Sequence, residues 1–332
     1  MRRGWFPPYY PEVVLLSALL GSPLAYGMAQ AASPAPAASP APAPTRQAPV
    51  ASTQLPLDDE AVTLDALVPE TQTIHKKSLA HDIVIEQAPV MAGQLDLSSF
   101  AKTVSAFERD GYRIGVVICD LGTGATFSYN ADEEFYPASS IKGPYVVSLY
   151  ERLVDTGKVK PEELASLAEA TIVASDNDAY HGLIDRCGSK VFADWAVSCR
   201  AIKKRGEQYD RFATHYYPDL SASQLATMWR HIFAYLDGGS KGAQELVGLF
   251  QRRLESPIRE GVDPGDLTIT KAGWYPADNG ERYAATADAG IVLDGTHGYV
   301  VVIMTDIPSD LDALARLVPG VFSARASLTQ PL

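Results

Sequence analysis

The sequence predicts an α/β (α+β) sandwich, an antiparallel sheet flanked by the terminal helices on one face and an all-helical subdomain on the other. Hydrophobic periodicity gives the order helix, two strands, a block of helices, three strands and a closing helix, which suits a single layered domain. With 332 residues, 46% hydrophobic and 20% charged, the chain can bury a substantial core. Regular patterning begins only near Leu97, so the folded domain is expected at 95–332.

Residues 1–31 read as a signal peptide: Arg2 and Arg3, an apolar run from Val13 to Leu20, and the small residues of Ala29-Gln30-Ala31 at a cleavage site. An uncleaved N-terminal anchor is the other reading. Val13–Leu20 is well short of the roughly 20 apolar residues that span a membrane, and Pro23 follows it. Residues 32–56 form an Ala/Pro-rich linker that favours extended, polyproline-like conformations over a packed core. Residues 57–94 are a loosely attached N-terminal extension with one strand-like stretch at Asp82–Glu86.

In the domain itself, Leu97, Phe100, Ala101, Val104 and Phe107 share a helical face over 96–110, and Gly111 ends the run. Tyr112–Cys119 and Ala125–Tyr129 are rich in β-branched and aromatic residues and flank the turn Leu121-Gly122-Thr123-Gly124, which predicts a hairpin. Ser139–Thr156 is helical through Ile141, Tyr145, Val146, Leu149 and Leu153, with Pro144 in its first turns and Gly157 as its stop. Further helices are expected at 161–174, 179–186, 191–199, 221–236 and 242–253. Strands follow at 267–272, 282–293 and 299–305, and a helix at 309–318 closes the chain.

The formal charge of −12 becomes one unit more acidic once residues 1–31 are removed, which disfavours nucleic acid and anionic membrane surfaces as partners. No membrane insertion of the mature domain is expected. Cys119, Cys187 and Cys199 are too few for a disulfide scaffold, although Cys187 and Cys199 could pair in an exported protein. No cysteine precedes Cys119, which excludes lipid attachment beside the signal. The six histidines are scattered and metal-ligand spacing is absent, so neither metal nor cofactor is expected, and the chain is expected to be a monomer.

Ser139 and Lys142 are three residues apart on a helix, so both side chains share a face. A desolvated lysine there can lose its proton and act as base toward the hydroxyl. The spacing is common: Ser99 and Lys102 repeat it, more plausibly on an exposed helix. Ser139 has the stronger context, because Pro137-Ala138-Ser139-Ser140-Ile141-Lys142 follows a hairpin and opens a helix whose first N–H groups favour developing negative charge.

Ser175-Asp176-Asn177 lies at a junction between helices, and Lys271-Ala272-Gly273 lies on a strand. In this order and on these elements, the three motifs over residues 95–325 resemble class A β-lactamases and related penicillin-recognising serine hydrolases. The resemblance implies a β-lactamase/transpeptidase-like fold and an acyl-enzyme on Ser139, with Lys142 as base or relay and Ser175 passing a proton to the leaving nitrogen. It further implies that Asn177 and Lys271 bind substrate, and that the N–H groups of Ser139 and Trp274, beside Gly273, form the oxyanion hole. Asp176 more plausibly braces its own turn. The implied partner is a β-lactam or a peptidoglycan peptide, and the implied location is secreted, periplasmic or cell-envelope.

The chain departs from the family pattern in four places. Ala272 stands where the third motif usually has a hydroxyl, and the assisting arginine of the next strand is replaced within Thr286-Ala287-Asp288-Ala289-Gly290, leaving Arg282 as a possible substitute. No Glu-x-x-Leu-Asn motif occurs between Cys199 and Ser221, where Glu207 and Asp210 sit in a polar loop. The interval from Ser139 to Ser175 is short, and Gly273 is followed by the bulky Trp274 and Tyr275. Three readings stay open: a β-lactamase, a peptidase or esterase acting on D-amino-acid-containing peptides, and a catalytically weak cell-wall binding module.

Overall fold

Alternation along the strands decides the architecture. The computed structural model describes residues 71–77, 79–89, 96–277 and 283–329. Its strands are β1 (Thr71–Lys77), β2 (Asp82–Pro89), β3 (Ile114–Asp120), β4 (Thr126–Tyr129), β5 (Glu134–Phe135), β6 (Leu220–Ser221), β7 (Leu267–Tyr275), β8 (Ala285–Leu293) and β9 (Gly298–Thr305). Seven of them form one antiparallel sheet in the order β1-β2-β4-β3-β9-β8-β7, and β5 pairs with β6 separately.

The central strands β3, β8 and β9 are buried along their whole length, because both faces of the sheet are covered. Val117, Cys119, Ala289, Val302 and Met304 point into one core with Trp195, Trp229 and Phe250. Their neighbours Val116, Ile118, Val301 and Ile303 point into a second core with Phe100, Val104, Leu314 and Val318. This is the period-two rule of a strand applied to a sheet between two layers.

The helices are α1 (Ser98–Arg109), α2 (Lys142–Leu149), α3 (Ala165–Val173), α4 (Asn177–Cys187), α5 (Ser189–Ser198), α6 (Glu207–Thr214), α7 (Ala222–Asp237), α8 (Lys241–Gln251), α9 (Pro257–Gly261) and α10 (Leu311–Phe322). Helices α1 and α10 pack on the second core, and the block from α2 to α8 makes the first. The helix expected over 139–156 is a composite of a 3₁₀ turn at Ala138–Ile141, α2, and a π turn at Tyr150–Val154. Ser99 and Lys102 both lie exposed on α1.

Two parts differ from expectation. The N-terminal extension is not merely loosely attached: within it β1 and β2 form a hairpin, and β2 pairs with β4, placing Ile83 opposite Tyr129 and Ile85 opposite Phe127. The sheet therefore begins upstream of residue 95. Helix α6 fills the stretch read as a polar loop. Cys119, Cys187 and Cys199 are all free thiols. Among the described residues no helix is long and apolar enough to cross a membrane, and no cluster of His, Cys, Asp or Glu is placed to hold a metal ion. Residues 1–70, which carry the signal and linker readings, and Arg282 lie outside the described residues.

Strand β7 is an edge strand, and a buried polar network holds it from behind. The Arg253 guanidinium donates to Thr268 O at 2.9 Å and to Thr270 Oγ1 at 2.9 Å. Ser256 Oγ, within 2.7 Å of Thr270 Oγ1, donates to Asp288 Oδ2 at 3.0 Å, which also accepts from Ile258 N at 3.0 Å. Burial pulls the Arg253 guanidinium down to about 10 and pushes the Asp288 carboxyl up. Removing one charged member strands the rest without compensation. Arg253→Met is expected to lower stability by about 3–5 kcal/mol in urea unfolding; a loss below about 1 kcal/mol would show that the network does not brace β7.

Candidate active site

Ser139 sits half-buried in the 3₁₀ turn that opens α2, just after Ala138, whose φ of 45° places a non-glycine residue in the left-handed region. Such backbone strain persists only where the surroundings enforce it. Here the enforcing element is β7. A Cβ on Gly273 would lie 2.5 Å from Ser139 N and 2.2 Å from Ser140 N, so only glycine lets the strand pass this close to the turn. The contact brings the first N–H groups of the α2 entry against the face of β7 from which a side chain at 273 would project. Ser140 is spoken for, its hydroxyl donating to Pro137 O at 2.8 Å.

Lys142 is fully buried, and its Nζ donates to three acceptors from one turn: Ser175 O at 2.6 Å, Asn177 Oδ1 at 2.7 Å and Asp176 O at 3.2 Å. The turn can present two carbonyls to one amine because Ser175 has a φ of 58°. Asp176 caps α4, accepting from Ala179 N at 2.7 Å, which matches the bracing role expected of it.

Lys271 reaches the same turn from the sheet. Its Nζ donates to Ser175 Oγ at 2.8 Å and to Ala272 O at 2.8 Å. Ser175 thus touches both amines, Lys142 through its carbonyl and Lys271 through its hydroxyl. Burial pulls Lys142 down to about 8, against a smaller upward pull from Asp176. Burial, followed by repulsion from Lys142, pulls Lys271 down to about 7. Both amines therefore lie far below the ordinary lysine range.

The structure brings Lys142, Ser175, Asn177 and Lys271 into one hydrogen-bonded network, with the Ser139 turn against Gly273. Trp274 follows on β7, half-buried and paired with Thr286. Ala272 is buried and offers no hydroxyl. Glu207 and Asp210 stay apart from this network: Glu207 pairs with Arg211 at 3.3 Å on an exposed face of α6, and Asp210 is exposed.

Tyr217 went unread in the sequence, yet its hydroxyl donates to Asn177 Oδ1 at 3.1 Å and lies 3.4 Å from His181 Nε2. Burial raises that phenol to about 12, so it remains a neutral donor. With Oδ1 accepting from both Lys142 and Tyr217, the Asn177 amide nitrogen is the group left to face a substrate acceptor. The single available signal was the Tyr216-Tyr217-Pro218 run itself.

A family model described as the Beta-lactamase enzyme family matches residues 97–166 and 163–319. Among solved structures, a PBP-A mutant in acyl-enzyme complex with penicillin G is 21% identical, covering 70% of this chain and 97% of that one, with a TM-score of 0.55. A β-lactamase from Chitinophaga pinensis is 17% identical, covering 69% and 99%, with a TM-score of 0.56. A class A β-lactamase from Mycobacterium abscessus is 20% identical, covering 69% and 99%, with a TM-score of 0.53. At these identities the likeness concerns the fold. No curated protein matches the chain.

Because both lysines bind protons more readily in the unfolded chain, unfolding at neutral pH takes up protons, and these two groups make stability rise with pH from about 7 toward the ordinary lysine value of 10.5. Nitrogen-detected NMR of the amines is expected to show two lysines titrating near 8 and 7. If every lysine titrates in the ordinary range, the two amines are not desolvated as described.

Proposed function

The chain belongs to the Beta-lactamase enzyme family, and on that premise we propose that it is an exported serine hydrolase that forms an acyl-enzyme on Ser139. Its substrates are amide bonds of β-lactams or cell-wall peptides. The observation that carries this reading is Lys142, a buried amine one turn after Ser139, held by three acceptors and drawn down to about 8.

Neutral Lys142 keeps two N–H bonds, to Ser175 O and Asn177 Oδ1, and turns its lone pair toward the Ser139 hydroxyl. Ser139 Oγ then attacks the substrate carbonyl as its proton passes to Nζ. The developing oxyanion is met by the backbone N–H groups of Ser139 and Trp274, across the close contact at Gly273. Ser175 Oγ accepts from Lys271, so its own hydrogen is free to pass to the leaving nitrogen while the Lys271 ammonium gives a proton to replace it. A substrate carboxylate near Lys271 favours the ammonium there, and repulsion between the two amines then favours the neutral form of Lys142. Substrate binding in this way prepares the base.

Return of the enzyme requires water to attack the ester, and a placed carboxylate would activate it. Glu207 and Asp210 are turned elsewhere, and the neutral Tyr217 phenol stands beside Asn177. This supports slow deacylation, as suits a peptidase or a penicillin-trapping protein better than an efficient β-lactamase. Ala272 favours a second reading, a cell-wall binding module of weak catalysis, because one carboxylate donor is missing.

Intact-protein mass spectrometry after incubation with penicillin G is expected to show a long-lived adduct that Ser139→Ala abolishes. Its rate of formation is expected to rise with pH through about 8 and to fall by about 10²–10⁴ in Lys142→Ala with the fold retained. Absence of any adduct would favour the binding module, and unchanged acylation in Lys142→Ala would remove that amine from the mechanism.

A further inference from the structure

We propose that Tyr217 is a positioning residue for the base: its hydroxyl holds the Asn177 amide with the oxygen toward Lys142, so that the amine, once neutral, meets no amide N–H and keeps its lone pair for Ser139. The proposal rests on the acyl-enzyme reading above and adds to that site a residue that acts through Asn177.

One side of α4 carries the parts. Asn177 opens the helix, and Tyr180 and His181 lie three and four residues further on, so the three share a face. Tyr180 ties the loop between α6 and β6 to this face: its hydroxyl donates to Tyr216 O at 2.6 Å, and its ring lies 5.5 Å from Lys142 Nζ. The next residue is Tyr217. Its ring packs with centroids at 5.3 Å from Tyr180 and 6.0 Å from Tyr136, and the buried Pro218 follows. The hydroxyl is thereby delivered to Asn177 Oδ1 at 3.1 Å, closer than its 3.4 Å to His181 Nε2.

A primary amide has two ends of nearly equal shape and opposite hydrogen-bonding sense, and rotation by half a turn exchanges them. While Lys142 is an ammonium it only donates, and at 2.7 Å it selects the Asn177 oxygen unaided. Deprotonation removes that selection, because a neutral amine carries a lone pair that an amide N–H can fill. A flipped Asn177 would then donate to Nζ and occupy the lone pair that takes the Ser139 proton. Tyr217 restores the selection. Burial keeps its phenol neutral, so it donates whatever the state of the amine, and the acceptor it meets is the amide oxygen. With a hydrogen on Nε2, His181 donates to the phenol oxygen and leaves the phenol hydrogen to Asn177, so the three groups donate in one direction.

The charged and titratable groups around the amine are Lys271 from β7, Asp176 and Tyr180 beside it on the α4 side, and Tyr217 with His181 behind it. Tyr217→Phe removes one hydrogen-bond donor and no charge, and it keeps the ring that packs on Tyr136 and Tyr180. A change in the basicity of Lys142 then travels through the amide. Released to flip, the amide stabilises the neutral amine alone, and the affinity of Lys142 for a proton falls. If the amide stays in place, its oxygen becomes a better acceptor for the ammonium, and that affinity holds or rises.

The test is an NMR titration of the lysine amines in the full chain, with the Lys142 signal identified by its loss in Lys142→Ala. Tyr217→Phe is expected to lower the midpoint of that signal from about 8 by about one unit. The rate of acylation by penicillin G, read by mass spectrometry, is expected to coincide in the two proteins below about pH 6 and to reach a plateau about tenfold lower in the variant, because preference for the flipped amide moves both quantities by one factor. A midpoint that holds or rises overturns the proposal. So does a rate lowered by the same factor at every pH, the behaviour of a merely structural side chain. If the unsubstituted chain forms no adduct while the midpoint falls as expected, the acyl-enzyme reading fails and the hold of Tyr217 on the amide stands. An adduct with an unmoved midpoint sinks the positioning role alone.

Discussion

The site depends on how one buried amine is satisfied. Taking the Lys142 ammonium out of water costs several kcal/mol unless acceptors surround it, and α2 cannot supply them because its own carbonyls are committed to the helix. The turn Ser175-Asp176-Asn177 supplies three. To do so it adopts a left-handed residue at Ser175, and the Asp176 cap on α4 stabilises that departure. Helical block and Ser139 turn are thus fastened together by the buried Lys142 amine.

A second constraint comes from the sheet. Strand β7 must stand close to the Ser139 turn on one face while remaining flush with β8. Gly273 permits the approach, and the Arg253, Ser256, Thr270 and Asp288 network grips the opposite face of the strand. Lys271 projects from this braced strand to Ser175. The two lysines approach from different layers and meet at one residue, and beyond burial the charge on Lys142 lowers the affinity of Lys271 for a proton.

Most of the architecture was legible because its elements carry strong periodicity: β3, β9, α1 and α7 each bury one consistent face or both. The hairpin at 71–89 was only half visible, since β1 is exposed along nearly all of its length and carries His75, Lys76 and Lys77 instead of an apolar stripe. Its place comes from pairing with β2, which no local pattern encodes. Helix α6 hid among charged residues because Phe212 alone is buried in it. In the site, Ser139, Lys142, Ser175, Asn177, Lys271 and Gly273 could be named because they fall in compact motifs. Tyr217 could not, because it lies 40 residues from Asn177 and meets it only in the fold.

The strand order carries one more implication. The chain enters the domain at β1, the first strand of the sheet, while Gly273 and Lys271 ride on β7, the last. Six inter-strand steps of about 4.8 Å put roughly 29 Å between those two margins. The sheet thus separates the margin at which the described chain begins from the one that carries Lys271 and Gly273, and a change in the entering strand reaches Lys271 only through the five strands between them.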